Sequence, residues 1–223
     1  MELLVALGSI TLINLILSGD NAVVIALASR NLPLEQRKKA VLWGSAGAVI
    51  LRILLTLVAA LLLQIPYVQF LGGLALVYIA INLLADEHRE VSCAGASSFW
   101  EAIKVIIFAD LIMSLDNVLA IAGVANGHLG LLIFGLALSV PLVVFGSQLL
   151  MSLMDRYPIL IYLGSAILAW TAAKMMLADA VLGIWLQPYA LLLEIGVTLL
   201  VLAVGYLRKK RVKSGSNEES HGA

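Results

Sequence analysis

Two short polar stretches, Ser18-Gly19-Asp20-Asn21 and Ser114-Leu115-Asp116-Asn117, each lie inside a long apolar run. An Asp at the centre of a membrane-spanning helix costs about 2.5–3.5 kcal/mol even on lenient insertion scales. Acids placed twice at the same spacing therefore call for something that offsets them. Asp110 adds a third carboxylate four residues before Ser114. The candidate ligand set is Asp20, Asn21, Asp110, Asp116 and Asn117, with Asn14, Ser18, Ser114, Met113, Arg52 and Lys174 as supporting candidates.

Carboxylate, amide and hydroxyl oxygens make a hard-oxygen environment, which suits Mn²⁺, Mg²⁺ or Ca²⁺ better than Cu⁺ or Zn²⁺. Met113 could add a soft thioether, although as core filler it needs no such role. Cys93 is the only cysteine, and His88, His128 and His221 are scattered and read as solvated. Neither an internal disulfide nor a Cys-based metal cluster can be built within one chain.

At about 100° per residue, Asn14, Ser18 and Asn21 share one helix stripe, as do Asp110, Ser114 and Asn117. Asp20 and Asp116 point away from the Asn that follows each of them. Either Asp ligates while Asn ties the helix to a neighbour, or the helix opens at the motif and backbone carbonyls join in. Gly19 permits opening in the first copy. Leu115 gives no such help in the second.

A plainer account pairs the acids with Arg52 or Lys174, both of which fall inside apolar spans. Two matched acids and two unmatched bases fit that account poorly as the whole explanation. Such pairs are still expected in one conformational state. For Asp110, proton coupling, ligation and structural bonding remain open. Asn14 and Asn82 read as interhelical hydrogen-bond glue, and Glu194 has an interfacial or a site role.

The elements that must position these groups follow from composition. Of 223 residues, 62 % are hydrophobic and 13 % charged, with a mean hydropathy of +1.04. That composition predicts an all-α polytopic membrane protein. Seven stretches reach the roughly 20 apolar residues a span needs: 3–28, 40–63, 66–84, 101–124, 129–153, 158–176 and 188–207. The opening stretch has no basic n-region or cleavage signature, so it is expected to stay as a helix.

The formal net charge is zero, yet Arg208, Lys209, Lys210, Arg211 and Lys213 crowd together near the C-terminus. With these cytoplasmic, Arg30, Arg37, Lys38, Lys39, Arg89 and Arg156 fall on the same side, and the N-terminus faces out.

An internal repeat sets LINLILSGDNAVVIALA (12–28) against FADLIMSLDNVLAIAGV (108–124), an offset of 96 that superposes Ser18, Asp20 and Asn21 on Ser114, Asp116 and Asn117. Asp110 then lies opposite Asn14. The likeness continues with 41–50 against 132–140 and 65–82 against 157–174. Here Arg52 faces an apolar position, and Lys174 faces Asn82.

Three helices per half is an odd number, so the second half enters the membrane from the opposite side. This makes an inverted repeat of the kind found in secondary transporters. The expected organisation is a three-helix repeat at 1–84, a cytoplasmic linker at 85–100, an inverted repeat at 101–176, an outer loop and seventh helix at 177–207, and a basic, disordered cytoplasmic tail at 208–223. The seventh helix is a peripheral support or an oligomer contact. No hydrolase, zinc-protease or phosphate-loop motif is present, and the acids lack the contexts of membrane aspartyl proteases. An enzyme is not expected.

The paired segments NLILSGDNAVVIALA and DLIMSLDNVLAIAG in a 3+3+1 layout resemble the TerC family of integral membrane proteins, particularly its short bacterial members, within the LysE-type transporter superfamily. The resemblance implies manganese(II) efflux or delivery across the bacterial cytoplasmic membrane, an association with tellurite resistance, and links to manganese-responsive regulation and to metallation of exported proteins. Its acidic motif falls on Asp20 and Asn21 and on Asp110, Asp116 and Asn117. Asn14 departs from a more acidic version of the motif, which lowers the site's charge.

Expected partners are a divalent cation substrate, the lipid bilayer, further copies of the chain and the secretion machinery. No nucleic acid is expected, and no cofactor beyond the transported manganese(II). The alternatives are a LysE-type exporter of a small organic solute and a membrane scaffold for metallation of exported proteins.

Overall fold

Inside a bilayer every backbone amide must find its partner within the protein, and helices meet this demand within a single segment. The computed structural model describes residues 19–62, 65–85, 95–125 and 129–221, with side chains described outside 56–62, 95–98, 115–125, 129–139 and 211–221. Among the described residues there are helices and no strands. In chain order they are α1 (Gly19–Ser29), α2 (Leu34–Leu62), α3 (Val68–Ala85), α4 (Gly95–Ala125), α5 (Leu129–Arg156), α6 (Ile159–Leu177), a short α7 (Leu182–Leu186) followed by a 3-10 turn (Gln187–Tyr189), and α8 (Ala190–His221). Within the described residues three helical stretches are long and apolar enough to cross a membrane: Val68–Ala85, Ile159–Leu177 and Leu182–Lys210.

The connections follow local chemistry. Pro33, with φ already set for a helix, precedes α2, and its carbonyl accepts the N–H groups of Gln36 and Arg37. The turn expected at 64–66 appears as the 65–67 turn between α2 and α3. Tyr67 there adopts φ 66°, a left-handed conformation that costs a non-glycine residue about 1–2 kcal/mol.

Two extents differ from the sequence expectation. The 177–187 loop folds into α7 and its 3-10 turn. The backbone of 208–221, expected to be disordered, is helical as the continuation of α8. Its Lys, Arg and Glu residues are good helix formers, and they extend a helix that is already nucleated.

Packing between helices in lipid depends on close approach, because the tails are as apolar as the side chains. α2 and α4 run parallel: Ala40 clusters with Ala102 and Ile103, and a Cβ at Gly44 would lie 2.9 Å from Ile106 Cδ1 and one at Gly47 2.8 Å from Ile107 Cδ1. α3 and α6 run antiparallel, the start of α3 lying against the end of α6: Gly72 meets Met175, Gly73 meets Met176 and the Ala172 carbonyl, and Asp179 just after α6 accepts the Phe70 N–H. α1 lies against α4, α5 and α6, burying Val24, Ile25, Ala26 and Leu27.

α8 docks on α3 and α6. Arg208 donates to Asn82 Oδ1 at 2.9 Å, and Lys209 donates to the Tyr162 hydroxyl at 2.9 Å. Asn82 thus bonds across helices. The rest of α8 presents Leu191, Leu192, Leu199, Leu200 and Leu207 outward.

Candidate functional site

The charged groups of α1, α2 and α4 converge because the parallel α2–α4 contact carries its register up from Gly44 and Ile106. Two turns beyond Gly44, Arg52 is only 4 % exposed, and its guanidinium reaches α4. Arg52 Nη2 forms an ion pair with Asp110 Oδ1 at short range, and Arg52 Nε donates to Ser114 Oγ at 2.9 Å. Ser114 in turn donates to Asp110 Oδ2 at 3.3 Å, one helical turn back. A guanidinium is the side chain best suited to such a fork, with planar donors set at a fixed angle. Asp110 keeps 12 % of its side chain exposed.

Asp20 stands at the start of the described part of α1, half-buried. Its Oδ1 accepts the Asn21 N–H at 2.9 Å. It lies near enough to Arg52 and Asp110 to interact electrostatically with both. The cluster therefore combines two carboxylates and one guanidinium, drawn from three helices.

Asn21 is 4 % exposed, and neither its Nδ2 nor its Oδ1 has a hydrogen-bond partner among the described residues. Leaving both ends of a buried amide unpaired is costly. Such a group fits a place meant to receive something else.

Of the remaining candidates, Met113 is buried in the apolar core, one residue from Ser114. Lys174 is exposed on α6 between buried neighbours, near the end of the helix. Glu194 is half-buried on α8. Asn14 and Ser18 lie outside the described residues. Asp116 and Asn117 are described in their backbone alone, and α4 is continuous through them. Of the two alternatives for the second motif, the structure has the unbroken helix. Leu115 is a good helix former with no glycine or proline beside it, so an unbroken helix is the local preference.

Among the described residues, no three His, Cys, Asp or Glu side chains gather in a group able to hold a metal ion.

The plainer account weighed from the sequence paired Arg52 or Lys174 with the repeated acids, Asp20 and Asp116. Among the described side chains Arg52 pairs instead with Asp110, the acid without a carboxylate counterpart in the repeat. A second acid, Asp179, was missed. It follows α6, outside the spans, and its Oδ1 accepts the Val181 and Leu182 N–H groups at 3.0 Å while its Oδ2 accepts the Phe70 N–H at 3.2 Å. Burial raises the pKa of this carboxyl, but the N–H groups of Leu182, Val181, Phe70 and Gln69 outweigh that effect and hold it below the usual carboxylate range. The signal available was an Asp in the turn three residues before a short apolar helix, where a carboxylate can accept backbone N–H groups one to three residues on.

Apolar helices enclosing a buried acid–guanidinium cluster define an integral membrane protein with a charged site among its helices. The chain belongs to the integral membrane protein TerC family, whose family model matches residues 1–217. It is 43 % identical over 188 residues to the uncharacterized membrane protein YjbE of Bacillus subtilis (strain 168), covering 84 % of this chain and 86 % of YjbE. It is 28 % identical over 185 residues to the membrane protein YkoY of the same organism, covering 73 % and 56 % of the two chains. With the UPF0053 inner membrane protein YgdQ of Escherichia coli (strain K12) the identity is 29 % over 171 residues, covering 69 % of this chain and 72 % of YgdQ. No solved structure matches the chain significantly.

Proposed function

We propose that the protein is a transporter that moves divalent cations, manganese(II) foremost, out of the cytoplasm through an intramembrane acidic site. The observation that carries this reading is the convergence of Asp20 and Asp110 on Arg52 from three helices, with the next residue, Asn21, buried and its amide without a partner among the described residues. Oxygen donors of this kind suit a hard cation. Manganese in particular comes from the family resemblance. The proposed ligands are Asp20, Asn21, Asp110, Asp116 and Asn117, and no catalytic role is assigned to any of them.

In this reading seven spans form two inverted three-helix halves plus α8, with the N-terminus outside and the C-terminus in the cytoplasm. The antiparallel packing of α3 against α6, which are counterparts in the repeat, supports it. So does the gathering of basic contacts at one end, where Arg37 pairs with Asp155, Arg30 donates to the Leu83 carbonyl, and Arg208 and Lys209 hold α8.

The test is Mn²⁺ flux in proteoliposomes. Asp20→Ala and Asp116→Ala are expected to abolish it. Wild-type flux in both well-expressed variants would sink the assignment.

Arg52 favours a second reading, a LysE-type exporter of a zwitterionic solute whose carboxylate meets the guanidinium. Competition between Mn²⁺ and amino acids for binding separates the two. A third role, a scaffold for metallation of exported proteins, is left if metal binds without any flux.

A further inference from the structure

The inverted repeat is broken at three of the charged positions described above, one of them Lys174 opposite Asn82 on the far helices of the two halves. Asp110 stands where the first half has Asn14, and Arg52 stands where the second half has Val143. These two exceptions to the symmetry are bonded to each other. An added acid and an added base that cancel one another leave the net charge of the symmetric site unchanged, and they place a protein cation on one of its carboxylates.

We propose that Arg52 is a tethered competitor of the transported cation for Asp110. The inference rests on the cation-transport reading. Asp110 exchanges one positive partner for another: an arriving cation displaces the guanidinium, and a departing cation allows it to return. The empty protein then changes conformation without an unpaired Asp110 among apolar helices, where a bare charge is expensive.

The geometry suits this role. Arg52 comes from α2, in the first half, and Asp110 from α4, in the second, so the pair joins the halves whose relative motion would expose the site alternately. Its two-pronged grip on Asp110 and Ser114 is local and reversible, and Asp20 is near enough to sense the same charge. A purely structural tie makes the opposite prediction for metal affinity, because loosening the helices would disorder the site.

The test is equilibrium Mn²⁺ binding to the purified full chain by titration calorimetry, paired with proteoliposome flux. Arg52→Gln is expected to bind Mn²⁺ at least about tenfold tighter than wild type, since a unit positive charge a few ångströms away is gone. It is also expected to lose net efflux while keeping exchange of Mn²⁺ for Mn²⁺.

Should Arg52→Gln fail to fold, Arg52→Lys keeps the charge without the fork and is expected to bind about threefold tighter. Affinity equal to or weaker than wild type in the folded variant overturns the proposal and leaves the transport reading intact. Absence of Mn²⁺ binding in the wild type itself overturns the transport reading, and the proposal with it.

Discussion

Asp179, between α6 and α7, accepts the N–H of Phe70 in the first turn of α3 at 3.2 Å. The same carboxylate caps the start of α7 through Val181 and Leu182. One acid thus satisfies N–H groups at the beginnings of two helices, where partial positive charge collects. At the opposite end of α3, Arg30 donates to the Leu83 carbonyl at 3.1 Å, where partial negative charge collects. α3 is thus met at each end by a charge of the sign that its terminus favours.

Asp179→Ala is expected to lower stability by about 1–2 kcal/mol, the usual cost of a lost cap, read as thermal unfolding in detergent. The sign of its pH dependence follows from the depressed carboxyl. The stabilisation is complete above the ordinary Asp value and disappears as pH falls through the lower folded value. Asp179→Asn should therefore flatten the acid limb of the wild-type profile. An unchanged acid limb would remove this account of the clamp.

Removing one member of the Arg52–Asp110 pair leaves the other charge buried, at a cost of about 3–5 kcal/mol. Asp110→Asn alone should unfold at a lower temperature than wild type. Combining it with Arg52→Val, which restores the residue types of the repeat, should recover most of the loss. Additive destabilisation in the double variant contradicts the pairing.

Asn21 is buried, with both amide atoms unpartnered among the described residues. Replacing it with Leu, similar in size and free of polar atoms, should raise stability by about 1–2 kcal/mol, while Mn²⁺ binding falls. This is the trade expected where a site keeps polarity for function at the expense of stability. Loss of stability in Asn21→Leu would show that the amide has a structural role.

Gly44 brings α2 against Ile106 of α4, where an added Cβ would lie 2.9 Å from Cδ1. Gly44→Val should destabilise by about 1–3 kcal/mol through overpacking and shift Arg52 relative to Asp110. Gly196, with nothing within 4 Å of an added Cβ, supplies the control: Gly196→Ala should be tolerated. Equal unfolding temperatures for the two variants would argue against the α2–α4 seam.

Much of the helical architecture was legible from apolar length, because a run of apolar residues in lipid has few ways to satisfy its amides other than as a helix. The membrane class and the repeated S-x-D-N motifs needed no coordinates. The site was legible as a set of residue types. Asp20, Asn21, Asp110, Ser114 and Arg52 were all singled out from the chain, whereas Asp179 was passed over because its partners, Phe70 above all, are distant in sequence.

Composition, periodicity and motif spacing are properties of one segment at a time, and the sequence by itself determined those: that the chain is apolar and helical, and which stretches carry acids and which carry bases. The tertiary structure decided which charges meet. Arg52 pairs with Asp110 because Gly44 and Gly47 let α2 lie close along α4 in one register, and that register sets which turn of α4 a guanidinium eight residues beyond Gly44 can reach. A pairing across helices depends on tilt, direction and depth of packing, none of which a single segment encodes.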